Sequence, residues 1–337
     1  MEIVGVKIKI FALIVILIIV FFLALKIGVV DLSWGQIYSA IISVIKGVNE
    51  ESLCFSIIRE IRLPRVLIAL IVGAGLAVSG AIFQSVLRNP LAEPYTLGVS
   101  GGACLGVALV TVLGGYKLFF LLPLAGWLGA GMSVFIVYFL AVRRGFSTIS
   151  LILSGIVINF LFSSFVLILF AFLKPSQVQS MILWLMGDLS GANFNSVKIG
   201  YVVIIPCLII SIVFTKRLDI LGLGDEKAYS LGLDAKRNKK YFYLLASTIT
   251  GTCIALSGVI GFVGLLIPHL MRRFFGIPNK MVLIASSLAG AVFLLLSDTI
   301  ARSIISPQEL PVGVITGLIG GVFFLLLLVL GREWKIG

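Results

Sequence analysis

Charge is what this sequence has least of. Asp, Glu, Lys and Arg make up 12% of 337 residues against 60% hydrophobic, and mean hydropathy is +1.20. A water-soluble chain of this length cannot hide that much apolar surface, so the composition excludes a soluble domain and points to a polytopic, all-α membrane protein. Acidic residues are scarcer than basic ones, 14 against 26. The formal charge of +12 does not mark a nucleic-acid partner, because the cations fall in short clusters between apolar runs and form no basic face. Histidine occurs once, at His269, and the four cysteines Cys54, Cys104, Cys207 and Cys253 lie far apart. They offer no metal spacing and no disulfide framework, so no metal or cofactor site is expected and the thiols read as small hydrophobes. No clustered His, Asp or Ser set suggests an intramembrane enzyme. The G-x-x-x-x-G-K-[ST] phosphate loop is also missing, so any ATP hydrolysis that drives this chain belongs to another polypeptide.

Ten apolar segments are present, at about 8–26, 62–86, 96–113, 118–141, 149–172, 197–215, 241–259, 262–275, 281–301 and 311–331. The eighth is too short to cross the hydrocarbon unless its neighbours shield it. The first, preceded by Lys7 and Lys9, resembles a signal peptide but lacks a small-x-small cleavage site, and reads as a retained span. Lys and Arg divide about two to one in favour of the side holding the N-terminus, which places both termini in the cytoplasm.

The longest interior polar stretch is Asp219 to Lys240, bounded by Lys216-Arg217 and Lys239-Lys240. Its centre, Gly224 to Leu233, predicts a short helix. Asp225 and Glu226 suit the positive end of the helix dipole, and Gly232 suits its stop. Ala228, Tyr229 and Leu231 give it a small apolar face. Residue by residue, it reads as either a solvated loop or a docking knob on the cytoplasmic side.

An internal echo joins the second and seventh segments: residues 73–82, GAGLAVSGAI, can be laid on residues 251–260, GTCIALSGVI. The same offset pairs Pro90 with Pro268. Segments five apart cross in opposite directions, so this predicts an inverted repeat, about 60–172 and about 237–331, with the 219–240 loop at its edge. Many of the 36 glycines fall in small-xxx-small spacings such as Gly73/Ala77, Gly98/Gly102 and Gly126/Ala130, which let helices approach closely in lipid. Two stretches go beyond packing. Asn89-Pro90-Leu91-Ala92-Glu93-Pro94 before Leu97-Gly98-Val99-Ser100 predicts a late or unwound third helix, and Gly261 to His269 predicts the same around the eighth. Irregular backbone at membrane depth must be buried in protein or line a cavity.

These motifs carry a resemblance. Arg62-Leu63-Pro64-Arg65, the Asn89–Pro94 hexapeptide with its Leu-Gly-Val-Ser, Ala228-x-x-Leu231-Gly232-Leu233, and Gly261-Phe262-Val263-Gly264-Leu265 with Pro268-His269 resemble the permease family of ABC importers for iron-siderophores, haem and vitamin B12. Four separated motifs in the family's order, over about residues 57–331, make the match specific. The resemblance implies a ten-helix subunit in a prokaryotic plasma (inner) membrane, working as a homodimer with two cytoplasmic ATP-binding subunits and an outer substrate-binding protein. It implies that Leu221, Gly224, Asp225, Glu226, Ala228, Tyr229, Leu231, Gly232 and Leu233 belong to two short coupling helices that fit a groove on the ATPase. Arg62, Arg65 and Arg302, which snorkelling alone would also explain, become arginines that receive acidic side chains of the binding protein, a task suited to their planar fork. Arg59 adds to that patch without motif support. The cytoplasmic gate falls on Asn89, Leu91 and Thr148, with Ile149 where relatives often carry a small polar residue.

The competing expectation is a secondary transporter on the same inverted repeat, coupled to protons or ions. Such a mechanism needs ionisable groups at mid-membrane, and Asp298 is nearly the sole candidate. An i,i+4 pair with Arg302 explains Asp298 more simply. His269 reads as a helix-end residue, and Trp184 and Met186, in an expected outer helix Val178–Met186, as interface anchors or packing. The cargo is not written in these residues: ferric siderophore, haem, cobalamin and oxyanions stay open.

Overall fold

The computed structural model describes residues 2–47, 52–114, 121–276 and 278–330, and these form helices joined by turns, with no strand among them. In chain order they are α1 (Glu2–Lys26), α2 (Trp34–Lys46), α3 (Leu53–Ser56), α4 (Leu63–Leu87), α5 (Val99–Val112), α6 (Leu121–Arg143), α7 (Thr148–Phe170), α8 (Pro175–Leu185), α9 (Phe194–Val213), α10 (Thr215–Gly222), α11 (Asp225–Ser230), α12 (Ala235–Ser257), α13 (Val263–Phe275), α14 (Asn279–Ala301) and α15 (Val312–Val329). A π-helical turn, Ile57–Arg62, runs α3 into α4, and a 3-10 turn, Pro94–Leu97, precedes α5.

Each apolar segment of the sequence has become one helix: α1, α4, α5, α6, α7, α9, α12, α13, α14 and α15. Residues 118–120 and 331, at the edges of two expected segments, lie outside the described residues. Among the described residues seven helices are long and apolar enough to cross a membrane unaided, including α4 with its α3 lead-in, α6, α7 and α14. The other three depart for visible reasons. At 14 and 13 residues, α5 and α13 are short, and the first turns of α12 carry Lys236, Arg237, Lys239 and Lys240.

The bundle is built round α4. That helix is apolar on all sides, which suits burial rather than a lipid face, and nearly its whole length is enclosed by α14, α12, α13 and α9. Close approach is achieved by glycine facing glycine. A Cβ on Gly73 would overlap the Gly290 carbonyl of α14, and one on Gly80 would overlap Gly264 of α13. Apolar helices gain little from leaving lipid for one another, so this intimate van der Waals contact is what holds them together. Of the small-residue pairs singled out in the sequence, Gly73/Ala77 straddles Gly290 and Gly102 meets Gly129 of α6. Gly98 instead opens α5 at φ 86, and Gly126 makes only ordinary contacts.

Both irregular stretches are irregular here, and they meet. Helix α4 stops at Arg88 in the left-handed region (φ 50), and Asn89 Oδ1 accepts the Leu91 N–H at 2.9 Å. After the 3-10 turn, α5 starts late, at Val99. Helix α12 ends at Ser257, and Gly258 (φ 67) to Phe262 (φ 69) lead into α13 without regular hydrogen bonds. In the aligned stretches, Gly80 therefore lies inside a helix while Gly258 leaves one.

Helix α8 begins at Pro175, three residues before the expected start, because Pro is preset for a first turn. The chain after it is stitched to the helix ends beside it. Asp188 N–H donates to Ser257 O (2.9 Å), while Met186 O and Gly187 O accept from Gly313 (3.1 Å) and Val312 (3.0 Å). Trp184 is half-buried against the core and packs at this seam, whereas Met186 joins it through its carbonyl and leaves its side chain exposed.

Candidate functional site

At one end of the bundle α10 and α11 form a helical hairpin lying off the ends of α9 and α12. Leu218 and Leu221 face inward on α10, and the helix breaks at Gly224, whose φ of 107 no side chain tolerates well. Helix α11 starts with Asp225 and Glu226, as the helix dipole favours. It ends in a Schellman motif: Leu233 N–H donates to Ala228 O (2.9 Å), Gly232 N–H to Tyr229 O (3.0 Å), and Gly232 is left-handed at φ 77. The expected stop at Gly232 is where the helix stops.

The apolar face of this hairpin differs from the one read off the sequence. Ala228 and Leu221 are fully buried and anchor the hairpin to its own subunit. Leu223, Tyr229 and Leu231 are 55–59% exposed and form the outward face. Asp225 is also turned inward: its carboxylate meets Lys239 Nζ of α12 at 2.7 Å and Arg88, at the end of α4, at 3.8 Å, whereas Glu226 is exposed.

A second tie joins the hairpin to the core. Asp219 Oδ1, on α10, accepts both the backbone N–H (2.9 Å) and the side-chain amide (2.7 Å) of Asn279, the first residue of α14. Asn279 Oδ1 in turn accepts from Ser85 Oγ of α4 (2.8 Å) and Arg272 Nη1 of α13 (3.1 Å). Arg272 Nη2 closes the network on Ser85 Oγ (2.6 Å) and Ala81 O (3.2 Å). Four elements that pack by apolar contact elsewhere are thus pinned at one polar knot, where an orphaned member is costly. Asp219, Asn279, Arg272 and Ser85 were not singled out from sequence. Arg272 was the available signal, a cation inside an apolar segment too short to bring it easily to water.

At the opposite end the three expected arginines are brought together but turned inward. Arg62, Arg65 and Arg302 are only 4–6% exposed. Arg65 holds Asp298 with Nε and Nη2, each 2.9 Å from Oδ1, and Glu309 Oε2 with Nη1 at 2.7 Å. Arg302 Nε lies 3.6 Å from Asp298 Oδ2, so the i,i+4 pair exists but Arg65 makes the tighter contact. Arg62 donates to Leu25 O (2.7 Å), Lys26 O (2.8 Å) and Val30 O, and Arg302 to Ala24 O, which fastens the end of α1 to α4 and α14. Glu309, with a side chain 39% exposed, is the part of this cluster that reaches the surface. Arg59 stacks on Phe55, 5.6 Å from the ring centroid.

Between the two ends, the first irregular stretch grips the second. Glu93 Oε1 accepts the Phe262 N–H (2.8 Å), Tyr95 Oη accepts the Ile260 N–H (3.0 Å), and Gln84 Nε2 donates to Leu265 O (3.2 Å). These bonds satisfy backbone groups that α13 leaves open, as burial requires.

The expected gate residues are not joined. Asn89 and Leu91 sit on the turn after α4 and Thr148 at the start of α7, with no hydrogen bond between the two places among the described residues. Leu91 and Ile149 are both exposed. His269 lies within α13, near the Phe323 and Phe324 rings (centroids 6.4 and 6.3 Å), not at a helix end. The arrangement provides two polar anchor points joined by a tightly packed central helix.

Comparison with known proteins identifies the family. The profile of the FecCD transport family matches residues 16–330. The chain is 39% identical over 286 residues to the hemin transport system permease protein HmuU of Yersinia pestis, covering 82% of this chain and 84% of that protein. It is 34% identical over 323 residues to the iron(3+)-hydroxamate import system permease protein FhuG of Bacillus subtilis, covering 93% and 94%. Its fold is similar to that of a transporter assigned to the metal-chelate ABC type and solved facing inward. The TM-score is 0.84 at 31% identity, over 95% of this chain and 98% of the other.

Proposed function

The chain belongs to the FecCD transport family, and from that premise we propose how its two polar ends work in transport. It is a membrane permease subunit of an ABC importer for metal chelates, the class that takes in haem, siderophore-bound iron, ferric citrate and cobalamin. The ion-coupled alternative is not favoured, since its candidate carboxylate, Asp298, lies in the cluster at one end of the bundle, ion-paired with Arg65.

In this proposal two copies pair round a central path in a prokaryotic plasma membrane. All ten apolar helices count as crossings and both termini are cytoplasmic. The α10–α11 hairpin then faces the cytoplasm and two separate ATP-binding subunits. Leu223, Tyr229 and Leu231 enter a groove on the ATPase, in the manner of a helix laid in an apolar groove. Buried Ala228 and Leu221, with Asp225 and Asp219, pass its motion to α4, α12 and α14. The observation that carries this is the hairpin itself, apolar outward and ion-paired inward, a form with no use in a plain solvated loop. The repeats 60–172 and 237–331 would rock about the Glu93–Phe262 contact and open a gate near Asn89, Leu91 and Thr148. A substrate-binding protein docks outside. There its carboxylates would take the place of Glu309 on Arg65, with Arg62 and Arg302 keeping the surface positive.

Co-purification tests the hairpin's role. The chain alone should hydrolyse no ATP and should retain a co-expressed ATPase of its own operon. Tyr229→Asp with Leu231→Asp should release that ATPase while the permease still inserts and folds. Retention by the double variant would refute the assignment.

A further inference from the structure

Where α10 and α12 diverge there is a cavity of about 520 Å³, lined by Arg217 of α10, Gly232 to Asp234 of the turn after α11, and Arg237, Asn238 and Tyr241 of α12. The coupling reading leaves it unused. Its chemistry is that of an anion site. Asp234, the lining carboxylate, already accepts the Arg237 backbone N–H at 2.9 Å as the cap of α12. The guanidinium of Arg217 rests on the Phe214 ring (4.6 Å) and reaches Asn238 Oδ1 at 3.5 Å, which leaves most of its donors unspent. Among the described residues the Arg237 side chain meets no carboxylate within ion-pair distance, and Lys216 and Lys236 stand exposed next to the two arginines.

The surroundings select the kind of anion. The cavity sits where two apolar helices leave the membrane, and Phe214 and Tyr241 pack there edge to face at 5.8 Å, the interfacial level aromatic rings prefer. One turn further along, α9 exposes Val213 and Ile209 and α12 exposes Leu244. A free phosphate would meet only the cations. A phospholipid would meet the cations with its headgroup and lay acyl chains along the exposed apolar residues. We propose that this cavity holds the phosphate headgroup of an anionic phospholipid of the surrounding leaflet. By filling the space against Gly232, Leu233 and Asp234, the headgroup braces the turn that joins α11 to α12. That second consequence rests on the coupling role given above, whereas the binding itself does not.

The test uses the full-length permease, delipidated and then titrated with phosphatidylglycerol or phosphatidylcholine while bound lipid is counted by native mass spectrometry. Phosphatidylglycerol should bind in preference. Arg217→Gln with Arg237→Gln should weaken it by roughly 30-fold, the electrostatic worth of two cations beside an anionic headgroup, and should leave phosphatidylcholine unchanged. Arg143→Gln with Arg144→Gln, at the end of α6, should leave both lipids unchanged, and Arg237→Gln alone serves if the first pair folds poorly. Equal phosphatidylglycerol affinity in the Arg217/Arg237 variants would overturn the proposal. So would an equal loss in the Arg143/Arg144 pair, or displacement of the lipid by inorganic phosphate at matching concentration, which would make this a soluble-anion site. These measurements need no ATPase, so a failed coupling role and a failed lipid site stay distinguishable.

Discussion

Replacing Asp298 separates the structural role of its carboxylate from an ion-coupling one. Asp298 is wholly buried, takes two 2.9 Å contacts from Arg65, and lies 3.6 Å from Arg302. Asp298→Ala would leave two buried guanidinium groups short of a carboxylate, Arg65 keeping only Glu309 and Arg302 only uncharged oxygens. Removing one partner of such a pair costs about 3–5 kcal/mol, most of it from stranding the other charge. Glu309→Gln should cost no more than about 1 kcal/mol, because that carboxylate is part-exposed and screened. At about 2–4 °C per kcal/mol, Asp298→Ala should melt on the order of 10 °C below wild type in detergent, and Glu309→Gln within a few degrees. Asp298→Leu with Arg65→Met should recover much of the loss, since an apolar pair of similar volume can replace a buried ion pair. Thermal melting followed by size exclusion reads all four proteins, and proteoliposome uptake reads function. An Asp298→Ala variant that melts like wild type would refute the structural account. An Asp298→Asn variant that keeps full stability but loses gradient-driven uptake would support ion coupling.

Four further outcomes are expected. Asn279→Ala removes the side-chain bonds to Asp219, Ser85 and Arg272 together and leaves Asp219 only the backbone N–H, so the ATPase should stay bound while transport-linked hydrolysis falls severalfold; normal coupling would remove the knot from the mechanism. Glu93→Gln, which can still accept the Phe262 N–H, should melt like wild type, whereas Glu93→Ala should melt lower; equal melting of the two variants would remove that contact from the account. Gly232→Val places a β-branched side chain at φ 77, and should misdirect the chain into α12, sparing ATPase capture but abolishing uptake. Tyr229→Ala should instead weaken capture, by about 2 kcal/mol.

The helices were legible in the sequence because their signal is local. Most apolar segments are long, Gly232 marks a helix end by backbone preference and Asp225 a helix start by the dipole, whereas Pro175, which opens α8, was passed over for Val178. What faces what was not legible. Arg65 and Asp298 are 233 residues apart, and only the packing of α4 on α14 makes them partners. Motif position put the three arginines together at one end of the bundle, but exposure depends on neighbours, and the backbone carbonyls that bury Arg62 and Arg302 leave no mark in sequence. Ala228 shows the same limit at short range: on a six-residue helix the apolar face is set by the element beneath it, not by periodicity. Asp219 and Asn279 escaped notice because each is an ordinary polar residue near a segment end. Their meaning lies in a 2.7 Å contact across 60 residues.

The central claim is that ATP binding on a separate subunit moves this permease through the α10–α11 hairpin. Uptake of radiolabelled metal chelate into proteoliposomes tests it most directly, using the permease with its ATPase and binding protein. ATP would be supplied inside or withheld, and proton and sodium gradients imposed or collapsed. Uptake should follow internal ATP, persist with the gradients collapsed, and vanish in the Tyr229→Asp/Leu231→Asp variant. Uptake that follows an ion gradient without ATP, or ATP-driven uptake undiminished in that variant, would contradict it.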